Sequence, residues 1–247
     1  MRKKMNPIFL KKSGFQQGFE HAAKVSDSLV TSLLQSEETI DLESKLHQWS
    51  VESTLAALYG SAYLQTKSQG EKLLNFVGMV HKMFDKSAIL QTQSAQEAFE
   101  ANSLDWQEFC TAAHGSIEFL HEHFPQMSRC SDGMIALLLK HFDTNVVSRI
   151  VNDLIIAAAD TTSYTTLWTL YLLACHPDHQ DNLKAKEACK ESMRLFPVAP
   201  FLTRIQQAPI ELEGYFIKGK FFVANLHYII LEVLDSTYAE GCNSILI

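Results

Sequence analysis

The sequence predicts a mostly α protein with a minor β part. Three observations carry that reading. Only 10 Gly and 6 Pro stand among 247 residues, with 47% hydrophobic and 20% charged residues, a globular composition rich in helix formers. Over 15–36, 42–59, 69–85, 105–123, 132–141, about 143–175 and 178–195, the sequence reads as helix. From 201, FLTRIQQAPIELEGYFIKGK breaks into short alternating runs around Gly214 and Gly219, as in small β-hairpins.

Residues 15–36 keep helical periodicity with few breakers. Asp41 is placed to cap a helix over about 42–59, and Gly60 stops it. Leu46, Trp49, Val51, Leu55, Leu58 and Tyr59 form its apolar face. Another helix fits 69–85, while 86–104 is polar and of no clear type. Helix returns at 105–123, FPQMSRCSDG reads as a loop, and a short helix fits 132–141. Asp143 or Thr144 then caps the longest segment, which runs to about Cys175, where HisPro ends it. At 1.5 Å per residue that helix spans about 48 Å. Residues 178–195 are helical again until Pro197 and Pro200. The tail from 221, FFVANLHYIILEVLDSTYAEGCNSILI, is apolar and loses clear organisation. The expected division is one domain over 1–220 and a divergent tail over 221–247.

The net charge of -7 argues against nucleic acid as a partner. The five cysteines, Cys110, Cys130, Cys175, Cys189 and Cys242, are odd in number and contain no CxxC pair. They read as reduced thiols inside a cell. No apolar run reaches the ~18 residues of a membrane-spanning helix, and no metal-ligating residue is assigned. MRKKMNPIFLKKSGF has the charge of a mitochondrial transit peptide but not its Ser-rich, Arg-rich length, and reads as a basic surface element.

Two stretches carry chemistry. In LIIAAADTTSYTTLW (154–168) an apolar helix is interrupted by Asp160, Thr161, Thr162 and Ser163. Such residues compete for backbone hydrogen bonds, so the run suits a kink or polar contacts between packed helices. It also suits a proton-delivery pair, a carboxylate beside a hydroxyl on an apolar wall. The small Ala157, Ala158 and Ala159 allow a flat ligand close to the backbone. In KEACKESMRLFPVAPFLTR (186–204), Glu191 and Arg194 share a helix face, the spacing of an ordinary surface ion pair. Arg204 follows in an extended apolar segment, a bidentate donor suited to a carboxylate or propionate.

Taken in this order, the two stretches resemble the central helix and the ExxR helix of the cytochrome P-450 haem-thiolate monooxygenases. The first motif stands here as Ala157-Ala158-Ala159-Asp160-Thr161-Thr162, and the second as Lys190-Glu191-Ser192-Met193-Arg194-Leu195-Phe196-Pro197. PVAPFLTR is similar to the β-element after that helix. Lys186 and Lys190 stand where mitochondrial members carry the basic residues that dock a ferredoxin. LHQWSVESTLAALYG and MVHKMFDKSAIL also resemble the ecdysteroid-hydroxylating mitochondrial members. The likeness runs patchily from about residue 2 to 220.

The resemblance implies a partial cytochrome P-450 fold binding haem b. It implies a sterol or ecdysteroid substrate, electrons from a mitochondrial ferredoxin, and a place on the matrix side of the inner mitochondrial membrane with peripheral membrane association. Asp160 and Thr161 would deliver protons on the oxygen side of the haem, lined by Ala157 and Ala158. Arg204 and Arg2 would hold propionates. Glu191 and Arg194 would be structural, and Lys186 and Lys190 would dock the ferredoxin.

Residues 1–247 also depart from the family pattern. The N-terminal sheet and the tryptophan beside Arg2 are absent, few residues separate His176 from Glu191, and no Phe-Gly-Arg-Cys ligand loop occurs. Cys242, downstream of Arg204, lacks the preceding aromatic and arginine. The expectation is a partial fold and a truncated, inactive form of a haem-dependent monooxygenase. The alternative is a non-catalytic helical binding protein.

Overall fold

The computed structural model describes residues 2–9, 12–36, 40–66, 70–90, 95–129, 132–180, 184–199, 201–205, 208–212, 214–218 and 222–226. They fall into two compact units, Met1–Leu167 and Trp168–Ile247. Cys130, Pro200, Gly219, Cys242 and the tail beyond 226 lie outside the described residues.

The first unit is helical. It comprises α1 (Arg2–Phe9), α2 (Lys12–Gln35), α3 (Leu42–Tyr59), α4 (Ser61–Thr66), α5 (Gly70–Leu90), α6 (Ala95–Glu100), α7 (Leu104–Arg129), α8 (Met134–Leu139) and the part of α9 (Thr144–Cys175) up to Leu167. The ends of α3 follow their chemistry. Asp41 accepts from the Ser44 amide at 3.2 Å, and Gly60 ends the helix with φ 68°. Of the expected apolar face, Leu46, Val51, Leu55, Leu58 and Tyr59 are buried. Trp49 is half-buried, and its indole N–H donates to Ser26 Oγ on α2 at 3.1 Å.

The core joins α3 to Leu73, Phe76 and Val80 of α5, Leu120 and Phe124 of α7, Ile135 and Leu138 of α8, and a stripe of α9. That stripe is Val147, Ile150, Val151, Ile155 and Ala159, recurring at i, i+3, i+4, i+8 and i+12 as a buried helix face requires. Helices α5 and α7 pack along each other, with Phe76 stacked on Phe119 at 4.6 Å between ring centroids. Ions close the rim of this pair. Lys86 Nζ lies 2.7 Å from Asp105 and 2.6 Å from Glu108, and Lys82 Nζ lies 2.9 Å from Glu108.

The expected loop at FPQMSRCSDG begins too early. α7 continues to Arg129 with Pro125 inside it. Phe124 is buried against Tyr59 edge-to-face, and that contact outweighs the break signalled by proline. The polar stretch 86–104 resolves into the end of α5, then α6 and the start of α7. The basic N-terminal element is helical as α1, which packs on α2 and α8.

The second unit holds the end of α9, a 3-10 turn at Pro177–His179, α10 (Ala185–Leu195), and strands β1 (Phe201–Ile205), β2 (Ile210–Leu212), β3 (Tyr215–Ile217) and β4 (Phe222–Leu226). β2 and β3 form an antiparallel hairpin through Gly214, with φ 79°. β1 pairs antiparallel with β4. Loss of organisation from 221 is therefore corrected at 222–226, where FVANL has the apolar and β-branched content of a strand. The two compact units divide after Leu167.

One backbone crossing fixes α3 against the segment before α8. A Cβ on Gly60 would meet Asp132 Oδ1 at 1.8 Å, and one on Gly133 would meet Leu58 O at 2.4 Å. Asp132 Oδ1 in turn accepts from the Ser61 amide at the start of α4. Gly60→Ala and Gly133→Ala are each expected to lower stability by about 2 kcal/mol in urea unfolding. Gly78→Ala on α5, with nothing within 4 Å of the new methyl, is expected to raise it by up to about 1 kcal/mol. Equal effects at all three positions would contradict the crossing.

Candidate functional site

Thr161, Ser163, Thr165 and Thr166 turn their hydroxyls onto the backbone of α9 itself. Thr161 Oγ1 donates to Ala157 O at 2.8 Å, Thr165 to Thr161 O at 2.7 Å, and Thr166 to Thr162 O at 2.8 Å. Ser163 is buried and reaches Ala159 O at 2.8 Å and Asp160 O at 3.0 Å. The polar-contact reading of this stretch therefore describes most of its atoms.

Helix geometry sorts the motif onto two faces. Ala157 and Thr161, one turn apart, are exposed. Ala158 is half-buried, and its carbonyl accepts from Ser50 Oγ of α3 at 2.8 Å. Asp160 turns the other way, towards the interior, with 13% of its side chain exposed. Adjacent helical residues diverge by about 100°, so Asp160 and Thr161 leave the helix in different directions.

Asp160 meets two histidines. His47 of α3 brings Nδ1 to 3.4 Å from Asp160 Oδ1, and His81 of α5 brings Nδ1 to 3.7 Å from the same oxygen. The two imidazoles meet edge-on at 5.0 Å between centroids. His47 Nδ1 also lies 3.0 Å from Ser163 Oγ. Tyr164 packs edge-on against His47, and its hydroxyl donates to Glu43 Oε1 at 3.0 Å. Burial, reinforced by Glu43, pushes the Tyr164 phenol up to about 12, so it stays a neutral donor.

The second unit holds the other expected residues. Arg194 grips Glu191 with two parallel bonds, Nε to Oε2 at 2.8 Å and a terminal nitrogen to Oε1 at 2.5 Å. The pair is half-buried, so it is worth more than a solvated one. Phe196 stacks flat on Trp168 at 4.2 Å and 4° where α10 ends. Lys186 and Lys190 are exposed, one turn apart on α10. Arg204 lies on β1 opposite Val223, and Arg2 opens α1. The side chains of both arginines lie outside the described residues.

His47 and His81 were not among the residues singled out from sequence. Each is a lone histidine on an amphipathic helix, LHQWS and MVHKMF, far from Asp160 in the chain. Only the pairing of three helices makes them neighbours.

Comparison with known proteins agrees with this architecture. The family profile of Cytochrome P450 matches residues 1–187. "Cytochrome P450 315a1, mitochondrial" of Drosophila melanogaster is 30% identical over 199 residues, covering 72% of this chain and 38% of that protein. The mouse "1,25-dihydroxyvitamin D(3) 24-hydroxylase, mitochondrial" is 27% identical, covering 75% of this chain and 42% of its own length. The chain thus spans well under half of either relative. The crystal structure of the cytochrome P450DA heme domain superposes with a TM-score of 0.64 at 15% identity, over 90% of this chain and 55% of that one. With ten α-helices and two small strand pairs among the described residues, the fold is a mostly helical, partial P450 fold. The chain belongs to the cytochrome P450 family.

Proposed function

We propose that this chain forms the oxygen-side part of a haem-dependent monooxygenase that hydroxylates a sterol, an ecdysteroid in the finer reading. The observation that carries the proposal is the outward face of α9. Ala157 and Thr161 are exposed one turn apart beside the half-buried Ala158, so no bulky side chain of the motif covers the backbone there. A flat macrocycle fits such a face. Haem, when bound, supplies an iron that activates dioxygen.

The chain's own residues then have distinct tasks. Thr161 Oγ1 is the exposed hydroxyl, held by Ala157 O and able to accept a further hydrogen bond. Asp160 is the acid behind it, kept out of bulk water against His47 and His81. Thr161 would present a proton at the outward face, with Asp160 as the acid on the inner side of the same turn. Arg204 and Arg2 would bind the propionates. Glu191 and Arg194 would be structural, fixing the end of α10.

The thiolate that would hold the iron is a separate matter. Cys110 lies in α7, Cys189 in α10, and Cys175 ends α9. None of the five cysteines follows a Phe-Gly-Arg run. Residues 1–247 alone are therefore proposed to be inactive. The two relatives named as mitochondrial support a mitochondrial location, and the printed name of a trout relative, "Cholesterol side-chain cleavage enzyme, mitochondrial", supports a sterol substrate. No helix among the described residues is long and apolar enough to cross a membrane. Lys186 and Lys190 offer an exposed basic pair suited to an acidic ferredoxin.

A haem titration of the purified chain tests the site. One haem per chain is expected, with Ala157→Trp weakening it at least tenfold. No uptake, or uptake indifferent to Ala157→Trp, would remove the α9 face from the proposal. The reduced carbon-monoxide complex is expected to lack the red-shifted thiolate band, and its presence would refute inactivity. For the partner, Lys186→Glu with Lys190→Glu is expected to weaken ferredoxin binding about tenfold at low salt, with a shallower salt dependence. An unchanged titration curve would place docking elsewhere.

A further inference from the structure

The cluster around Asp160 has the make-up of a metal centre. We propose that His47, His81 and Asp160 bind a divalent transition cation of the zinc class. One residue comes from each of α3, α5 and α9, and their ligand atoms all lie within 4.8 Å of one another. The two nitrogen-to-oxygen separations, 3.4 and 3.7 Å, resemble the edges of a tetrahedral shell. Donors bound to zinc at about 2.0–2.1 Å sit about 3.4 Å apart. Imidazole and carboxylate together suit zinc, cobalt or nickel rather than calcium or magnesium.

A second observation points to a ligand. Asp160 Oδ1 and His81 Nδ1 are buried atoms without a hydrogen-bond partner, as is His47 Nε2. The side chain of His47 is 7% exposed. Ion pairing alone would leave these atoms at 3.4 Å or more, beyond good hydrogen-bond geometry. A cation between them supplies the missing contact to Asp160 Oδ1 and His81 Nδ1.

The outer groups match as well. Both histidines turn Nδ1 to Asp160 and Nε2 to a carboxylate one turn along their own helix. Glu43 Oε1 is 4.0 Å from His47 Nε2, and Asp85 Oδ2 is 3.8 Å from His81 Nε2. Metal-bound histidines ordinarily present their second nitrogen to such an acceptor. Tyr164 holds Glu43 in place from the far side. His81, 37% exposed, marks the side from which a cation enters and where a fourth ligand, water, would sit.

This inference shares Asp160 with the haem reading, and its test is made on the haem-free chain so that either can fail alone. CoCl2 is titrated into the protein, followed by visible absorbance, and ZnCl2 is added back. One cobalt per chain with strong d–d bands, bleached by zinc, is expected. His81→Ala should weaken binding at least a hundredfold, and Asp85→Asn about tenfold. His176→Asn with His179→Asn, in the other unit, should change nothing. Zinc should raise the melting temperature of the wild type but not of His81→Ala, which separates site loss from misfolding. No saturable cobalt binding, binding retained in His81→Ala, or binding lost with His176 and His179 would overturn the proposal. In each of those cases the cluster is only a set of histidine–carboxylate ion pairs.

Discussion

The apolar stripe of α9 must be kept from water, and the first unit is built around that need. Val147, Ile150, Val151, Ile155 and Ala159 are all buried, and each of the larger ones contributes roughly 1.5–3 kcal/mol on leaving water. A helix cannot bury part of a stripe without carrying its continuation inward. Asp160 and Ser163 are that continuation. Ser163 spends its hydroxyl on the preceding turn, but a carboxylate has no such outlet. Its environment has to come from other helices, and α3 and α5 bring one imidazole each.

This explains which features the sequence made legible. The helix over 42–59 was readable because its ends carry local chemistry, an Asx cap and a left-handed glycine. The Glu191–Arg194 pair was readable because three helical positions bring two long side chains together. The end of α7 was not, since Pro125 argues locally for a break while Phe124 gains its burial from Tyr59, distant in sequence. The strand at 222–226 was missed for a related reason: its partner, β1, lies across the β2–β3 hairpin. His47 and His81 left no spacing signal at all. A single histidine on an amphipathic helix has the same appearance whether it packs, titrates or ligates.

The two faces of α9 divide the labour of one motif. Ala157 and Thr161 present a bare outward surface, whereas Asp160 belongs to a polar pocket inside the core. A carboxylate coordinated by a cation cannot also exchange protons freely. The two assignments of Asp160 therefore compete, and occupancy of the inner pocket would govern the outer face through a single side chain.

The crossing of Gly60 and Gly133 has a different kind of consequence. Leu58 O and the Gly60 amide occupy the space a side chain at Gly133 would need, and Asp132 occupies that at Gly60. The obstacle at Gly133 is backbone, whereas at Gly60 it is the Asp132 side chain together with the Gly133 amide. A side chain at Gly133 is therefore not accommodated by shortening a neighbouring side chain, as it often is inside a core. Such a joint leaves Gly133 almost no room for another residue, although it contributes no chemistry of its own.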